Sequence, residues 1–247
     1  MLGSSMSASF PNTVLNAIMA ESLNEIADQL EGIKYLQDIR EKALDICRGI
    51  VHDHKKILFS GDGYSDEWVE EAARRGLPCV RSFIESVEVL SDPEVIRLFT
   101  SLDIYDENEL YANRAILEDR YEKMMTIEVR TMLEMARRDI LPAMTAELNF
   151  YAQSMNACSS AAPKFIKDRV KTLSGMIDRT DKACDALEKG LQKAIEKAPD
   201  TFTAGKNIYY SVSPLMAKLR AEIDAYEDIA GREFYHLPMY EDMLFNL

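Results

Sequence analysis

The stretch Gly61-Asp-Gly-Tyr-Ser-Asp-Glu-Trp68 has two glycines ahead of a helix-start signal, the layout of a loop that cradles phosphate. A phosphate loop of the GxxxxGK type needs a lysine to neutralise the bound anion. None follows here, and Asp62, Asp66 and Glu67 surround the spot. A dinucleotide fingerprint needs a third glycine, and that position holds Asp66. The acids oppose a phosphate, so the loop is not a nucleotide cradle by itself. His52 and His54 are a second candidate. On a helix, residues two apart point away from each other and cannot share a metal; on a strand they still lack a third ligand. Carboxylate pairs such as Glu21/Glu25 and Glu118/Asp119 read as solvated helix faces. Met124, Met125, Met132, Met135 and Met144 read as core packing before a soft binding surface. No GxSxG and no Cys/His grouping occurs. The residues alone supply no self-sufficient catalytic, cofactor or metal site.

The elements that would position these groups are helical. Val14, Leu15, Ile18, Met19, Leu23, Ile26 and Leu30 recur at helical spacing and stop near Gly32. Leu36, Ile39, Leu44, Ile46 and Ile50 give a second amphipathic run. Residues 57–60, Ile-Leu-Phe-Ser, allow at most one short strand. Ser65 is placed to cap a helix beginning at Asp66, with Gly76 and Pro78 as its stop. Across that helix, Glu70/Arg74 and Glu71/Arg75 have the spacing of ion pairs worth about 0.3–0.5 kcal/mol each. Short helices are expected over 83–90 and 93–102.

From Asn108 to Ala157 the pattern is nearly unbroken, with Leu117, Tyr121, Met124, Ile127, Met132, Met135 and Ile140 near one stripe. Pro142 is expected to kink or end that helix. Beyond a break at 159–163, Ile166, Val170, Leu173, Ile177, Thr180, Cys184, Leu187 and Leu191 form a heptad seam. Residues 199–205 read as a turn-rich connector. Val212, Met216, Leu219, Ile223 and Tyr226 then form a second seam. Two seams and one loop imply an antiparallel helical hairpin over about 164–231. The apolar, aromatic tail 233–247 is expected to dock in a groove of its own chain or of a partner.

Composition agrees. In 247 residues there are 10 Gly and 8 Pro, too few for a β-rich or disordered chain. The expected fold is all-α: a helical bundle with a long central helix and an antiparallel hairpin. A formal net charge of −13 disfavours nucleic acid and anionic membrane as partners. Four dispersed cysteines suit free thiols in a reducing cytoplasm. No secretory signal is visible, and no apolar run approaches the ~20 residues of a membrane span.

Four stretches carry a family resemblance. Residues 3–16, GSSMSASFPNTVLN, resemble the segment that follows the last catalytic Glu-x-Arg strand of type III glutamine synthetases. Residues 59–68, FSGDGYSDEW, with Arg75-Gly-Leu-Pro78, resemble that family's next signature. Residues 127–142, IEVRTMLEMARRDILP, resemble a third, and 237–245, LPMYEDMLF, the closing motif. They fall in family order along nearly the whole chain. The resemblance implies the C-terminal portion of a glutamate–ammonia ligase that makes glutamine from glutamate, ammonia and ATP with Mg or Mn. It places the metal, nucleotide and phosphate ligands upstream, on a catalytic domain of the same polypeptide.

The resemblance therefore divides the chain into helices trailing that domain (1–56) and a C-terminal helical domain (57–247). It assigns no catalytic, cofactor-binding or metal-binding residue here. It puts Ser4, Ser5 and Asn12 nearest the active site by chain position. It marks Gly61, Asp62, Gly63, Tyr64, Ser65, Trp68, Arg137, Arg138 and Pro142 as structural signature residues. A homo-oligomeric ring is implied for the whole enzyme, with the isolated chain inactive. The competing reading is a free-standing helical scaffold that binds partner helices through its heptad seams.

Overall fold

A computed structural model describes residues 7–238 and 243–244. Among them every regular element is helical and there is no strand. Residues 55–57 form a single 3-10 turn, and 58–60 are irregular, so the short strand allowed at 57–60 does not form. The chain divides into two compact units, Met1–Ala115 and Ile116–Leu247.

The first unit holds α1 (Ser9–Leu30), α2 (Leu36–Asp53), α3 (Asp66–Arg74), α4 (Phe83–Val87), α5 (Pro93–Ser101) and the start of α6 (Glu107–Met135). Its starts and stops follow local chemistry. The Ser65, Ser82 and Asp92 side chains each accept a backbone N–H of the helix they open. Gly32 and Gly76 take the left-handed φ values of 79° and 68° that end α1 and α3.

Packing in this unit is sparse. α1 touches α2 and α5, and the largest buried cluster joins only Ala17, Phe99 and Leu110. The apolar run of α1 is therefore not all core. Leu15, Ile18, Met19 and Leu23 are exposed, and on α2 so are Leu36, Leu44 and Ile50.

The second unit is built on the rest of α6, α7 (Leu141–Cys158), α8 (Lys164–Glu196), α9 (Thr201–Asn207) and α10 (Ser213–Glu227). α6 and α7 are one helix of 52 residues joined by a π turn, Ala136–Ile140. Pro142 neither ends nor breaks it. A proline lacks an N–H and crowds the carbonyl four residues back. The wider turn relieves this: Leu141 N–H reaches back to the carbonyl of Ala136, five residues away. The device recurs. A second π turn, Ile208–Val212, precedes Pro214 at the same spacing, and there the Ser213 hydroxyl also donates to the Ile208 carbonyl at 3.3 Å. The expected connector 199–205 is in fact helical from Thr201, because Asp200 caps it by accepting the Thr203 N–H at 2.7 Å.

α8 packs between α7 and α10, and so buries two stripes. Leu173, Thr180, Cys184, Leu187 and Leu191 belong to the expected seam. Arg169, Leu173, Met176, Thr180, Ala183, Leu187, Gly190 and Ala194 form a second stripe stepping alternately by four and three residues. Val212, Leu219, Ile223 and Tyr226 return against it, which completes the hairpin. Both seams are thus filled from within the chain.

The stripe on the long helix needs a correction. The buried register is Thr126, Val129, Leu133, Ala136, Ile140 and Met144, while Met124, Ile127 and Met135 are exposed. Apolar residues occupy two faces of this helix, so periodicity alone did not choose between them. After α10 the chain turns back, and Tyr235 and Leu237 lie on the core of the unit.

Candidate functional site

The signature loop folds onto its own helix. Asp62 Oδ1 accepts the Tyr64 N–H at 2.9 Å, and the Ser65 hydroxyl donates to the Asp62 carbonyl at 3.1 Å. The same hydroxyl accepts the Trp68 N–H at 3.3 Å. Asp62 and Ser65 are thereby occupied in shaping the turn. Trp68 stacks on Phe59, with ring centroids 4.2 Å apart. Gly61 is required by that stack, since a Cβ there would stand 2.7 Å from Phe59 Cζ. Gly63 faces open space and Tyr64 is wholly exposed.

Arg75 organises this cluster. Its Nη1 donates to the carbonyls of Lys56 and Leu58 at 3.1 and 2.9 Å, and its Nε to Glu71 at 2.6 Å. The guanidinium also lies over Phe59 and Trp68, at 6.0 and 5.6 Å from the ring centroids. Glu71 bridges Arg75 and Arg74, so the pair expected at Glu70/Arg74 forms from Glu71 instead. The hydrogen bond from Arg75 holds the Glu71 carboxyl below its ordinary pKa, with Arg74 adding to the effect and burial opposing it. The arrangement clamps a loop; it offers no open donor set for a nucleotide.

The third signature lies at the first π turn. Arg137 bridges Asp185 and Glu188 of α8 at 3.2 and 2.7 Å, which raises its own pKa and lowers that of Glu188. Arg138 pairs with Glu134 at 2.5 Å. Pro142 borders a groove of about 320 Å³ whose other wall is residues 233–237. Arg138, Asp139 and His236 are among the residues lining it.

Sequence reasoning passed over a buried ion pair one turn further on. Glu147 is fully buried and accepts Arg169 at 2.6 Å, Tyr226 Oη at 3.1 Å and the Gly231 N–H at 3.3 Å. Arg169 also donates to the Ile229 carbonyl. Burial, then the neighbouring carboxylate, pushes the Tyr226 hydroxyl pKa well up, so it stays a donor. This pair fastens α7, α8, α10 and the start of the tail together. The signal was present: Glu147 sits three residues after Met144 on one buried stripe, and Arg169 four before Leu173 on another.

Of the remaining sequence candidates, Asn12 is exposed on α1, with its backbone N–H bonded to the Ala8 carbonyl at 3.0 Å. Ser4 and Ser5 lie outside the described residues. His52 and His54 are exposed, and His52 Nδ1 stands 3.0 Å from Asp53. Among the described residues no three His, Cys, Asp or Glu side chains group to hold a metal. No helix among them is long and apolar enough to cross a membrane.

The sequence profile described as "Glutamine synthetase C-terminal domain" matches residues 42–159. That span includes the loop clamp and the first π turn with Glu147. Residues 42–159 of the chain are a glutamine synthetase C-terminal domain. Relatives agree with this assignment. A glutamine synthetase of Butyrivibrio fibrisolvens is 31% identical over 85% of this chain and 30% of its own length. A type-3 glutamine synthetase of Dictyostelium discoideum is 28% identical over 99% of this chain and 34% of its own length. A glutamine synthetase of Bacteroides fragilis is 26% identical over 98% and 34% respectively. The chain thus spans about a third of the length of these relatives. The glutamine synthetase family uses ATP and divalent metal, and the acidic side chains among the described residues do not fit such an ion, because no three of them group together.

Proposed function

We propose that this chain is the helical C-terminal part of a type III glutamate–ammonia ligase, buttressing its catalytic domain and contributing to assembly of a homo-oligomer. The ligase forms glutamine from glutamate, ammonia and ATP. Its phosphates and its Mg or Mn ions are held on the part of the enzyme that this chain does not represent, and the enzyme works in the cytoplasm. The observation that carries this reading is the family match over residues 42–159, on a chain spanning a third of relatives that are glutamine synthetases. The signature residues support a structural role, since Asp62, Ser65, Trp68 and Arg137 are all engaged in bonds within the chain. The exposed apolar run on α1 supplies a surface that a catalytic domain would cover. The heptad seams offer little to a free-standing scaffold, since α8 and α10 already fill each other's.

A segment exchange tests the proposal. The matched segment of the Butyrivibrio enzyme is replaced by this chain, and glutamine formation and assembly are compared with a deletion of that segment. The exchanged enzyme is expected to assemble and form glutamine, and the deletion to do neither. The isolated 247-residue chain is expected to form none. Glutamine made by the isolated chain, or a soluble exchanged enzyme that neither assembles nor turns over, would overturn the reading.

A further inference from the structure

Beside the first π turn, Ile140, Pro142, Ala143 and Ala146 form the floor of the 320 Å³ groove, and Phe234 and Leu237 stand on its wall. That volume equals about ten waters at ~30 Å³ each, room for more than one apolar side chain. Pro142, Ala143 and Ala146 are small, which leaves this space open. Phe150, which does not line the groove, is half exposed, with its ring 5.7 Å from that of Phe234.

The wall residues lead directly into Met239-Tyr-Glu-Asp-Met-Leu-Phe-Asn-Leu247. Tyr240, Leu244 and Leu247 step by four and three residues, with Met239 and Met243 beside them, while Glu241, Asp242, Phe245 and Asn246 take other positions. That is the pattern of an apolar helix face that seats in a groove. Of this segment, Met243 and Leu244 are helical and stand 59% and 74% exposed, and neither lines the groove of its own chain.

We infer that the segment Met239–Leu247 of one copy seats in the groove beside Pro142 of a second copy, and reciprocally. The geometry favours an exchange. Because residues 233–237 are one wall of the groove, the chain reaches Pro238 beside the groove, and the segment begins there. A two-fold axis near that point brings each segment over the other's groove with the same short reach, giving a closed, self-complementary contact. Apolar side chains left exposed in the single chain are then covered, and the small floor residues let the incoming helix approach closely. This rests on the self-assembly part of the proposed function and names its contact.

The test compares three forms of the 247-residue chain by sedimentation velocity over a concentration series, with far-UV circular dichroism to confirm folding. The unaltered chain is expected to associate. A chain ending at Pro238 and a full chain carrying Ala146→Glu, an exposed floor position, are each expected to associate at least ten-fold more weakly. Mixed together they are expected to recover a mixed species, because the first keeps an open groove and the second an intact segment. Should the truncated chain misfold, the full chain with Met243→Glu and Leu244→Glu takes its place. Association of both variants as tight as that of the unaltered chain overturns the contact and leaves self-assembly to another surface. An unaltered chain that is monomeric throughout also overturns the contact, while the reading of the chain as part of a synthetase falls only with the segment exchange.

Discussion

At the scale of single residues, the most consequential side chain is Arg75. On α3 it looks like one half of a surface ion pair, and such pairs contribute little. Its worth lies in what else it touches: two loop carbonyls and the faces of Phe59 and Trp68. Glu71 holds it there, and the sign of the pH dependence follows. Because the Glu71 carboxyl is held below its ordinary value, its contribution is complete above the ordinary glutamate pKa of about 4.3. It is lost as pH falls through the lower folded value. Trp68 is the only tryptophan, so its emission reports this site alone. Emission is expected to hold steady from neutral pH down to about pH 4.3 and to shift red below it. Glu71→Gln should show a partly red-shifted Trp68 at neutral pH and no such acid step. A wild-type shift already complete above about pH 5 would mean that Glu71 does not hold the clamp.

At the scale of elements, much was legible and some was not. Caps and stops were readable because Ser65, Gly32 and Gly76 act on the backbone next to them, and nothing distant competes. The hairpin was readable because Leu and Ile mark its seams. The second stripe of α8 was hidden, since Arg169, Ala183 and Gly190 present no large apolar side chain to mark it. Thr180 is even buried with its hydroxyl unpartnered. The signature resemblance located the loop 59–68, but not its clamp, because reach from Arg75 to Lys56 and Leu58 is set by loop shape and not by period.

The Glu147–Arg169 pair allows a direct measurement at this scale. Both groups are largely removed from water, with side-chain exposures of 0% and 15%. Glu147→Gln keeps the shape and leaves Arg169 charged without its counter-ion, which costs about 3–5 kcal/mol. Urea unfolding followed by circular dichroism should show that loss, with a fall in Tm of roughly 6–12 °C at the lower figure. Replacing both partners, Glu147→Leu with Arg169→Met, should cost less than the single change, since no unpaired charge remains. A double variant that is less stable than Glu147→Gln would show that the pair contributes more than its desolvation costs.

At the scale of the whole chain, the two units differ in what they bury. The second surrounds α8 with a continuous core running from Val129 to Tyr235. The first gathers Ala17, Phe99 and Leu110 and leaves Leu15, Ile18, Met19 and Leu23 in water. Burial of apolar area is the main favourable term in folding, at ~25 cal/mol per Å². The first unit should therefore unfold at lower denaturant. Trp68 lies in it, while most of the long helices lie in the second, so two optical signals separate the units. Trp68 emission is expected to change at a lower urea concentration than the main loss of far-UV ellipticity. Coincident transitions would instead mark one cooperative unit.

A surface that is merely exposed tolerates charge, and one that is meant to be covered does not. Leu15→Glu with Leu23→Glu should alter the stability of the isolated chain by no more than about 0.5 kcal/mol per site, because both side chains already meet water. In the exchanged synthetase the double change should abolish assembly or glutamine formation, because a covered face would then bury two charges. If it leaves the exchanged enzyme assembled and active, the outward face of α1 is not where the catalytic domain rests.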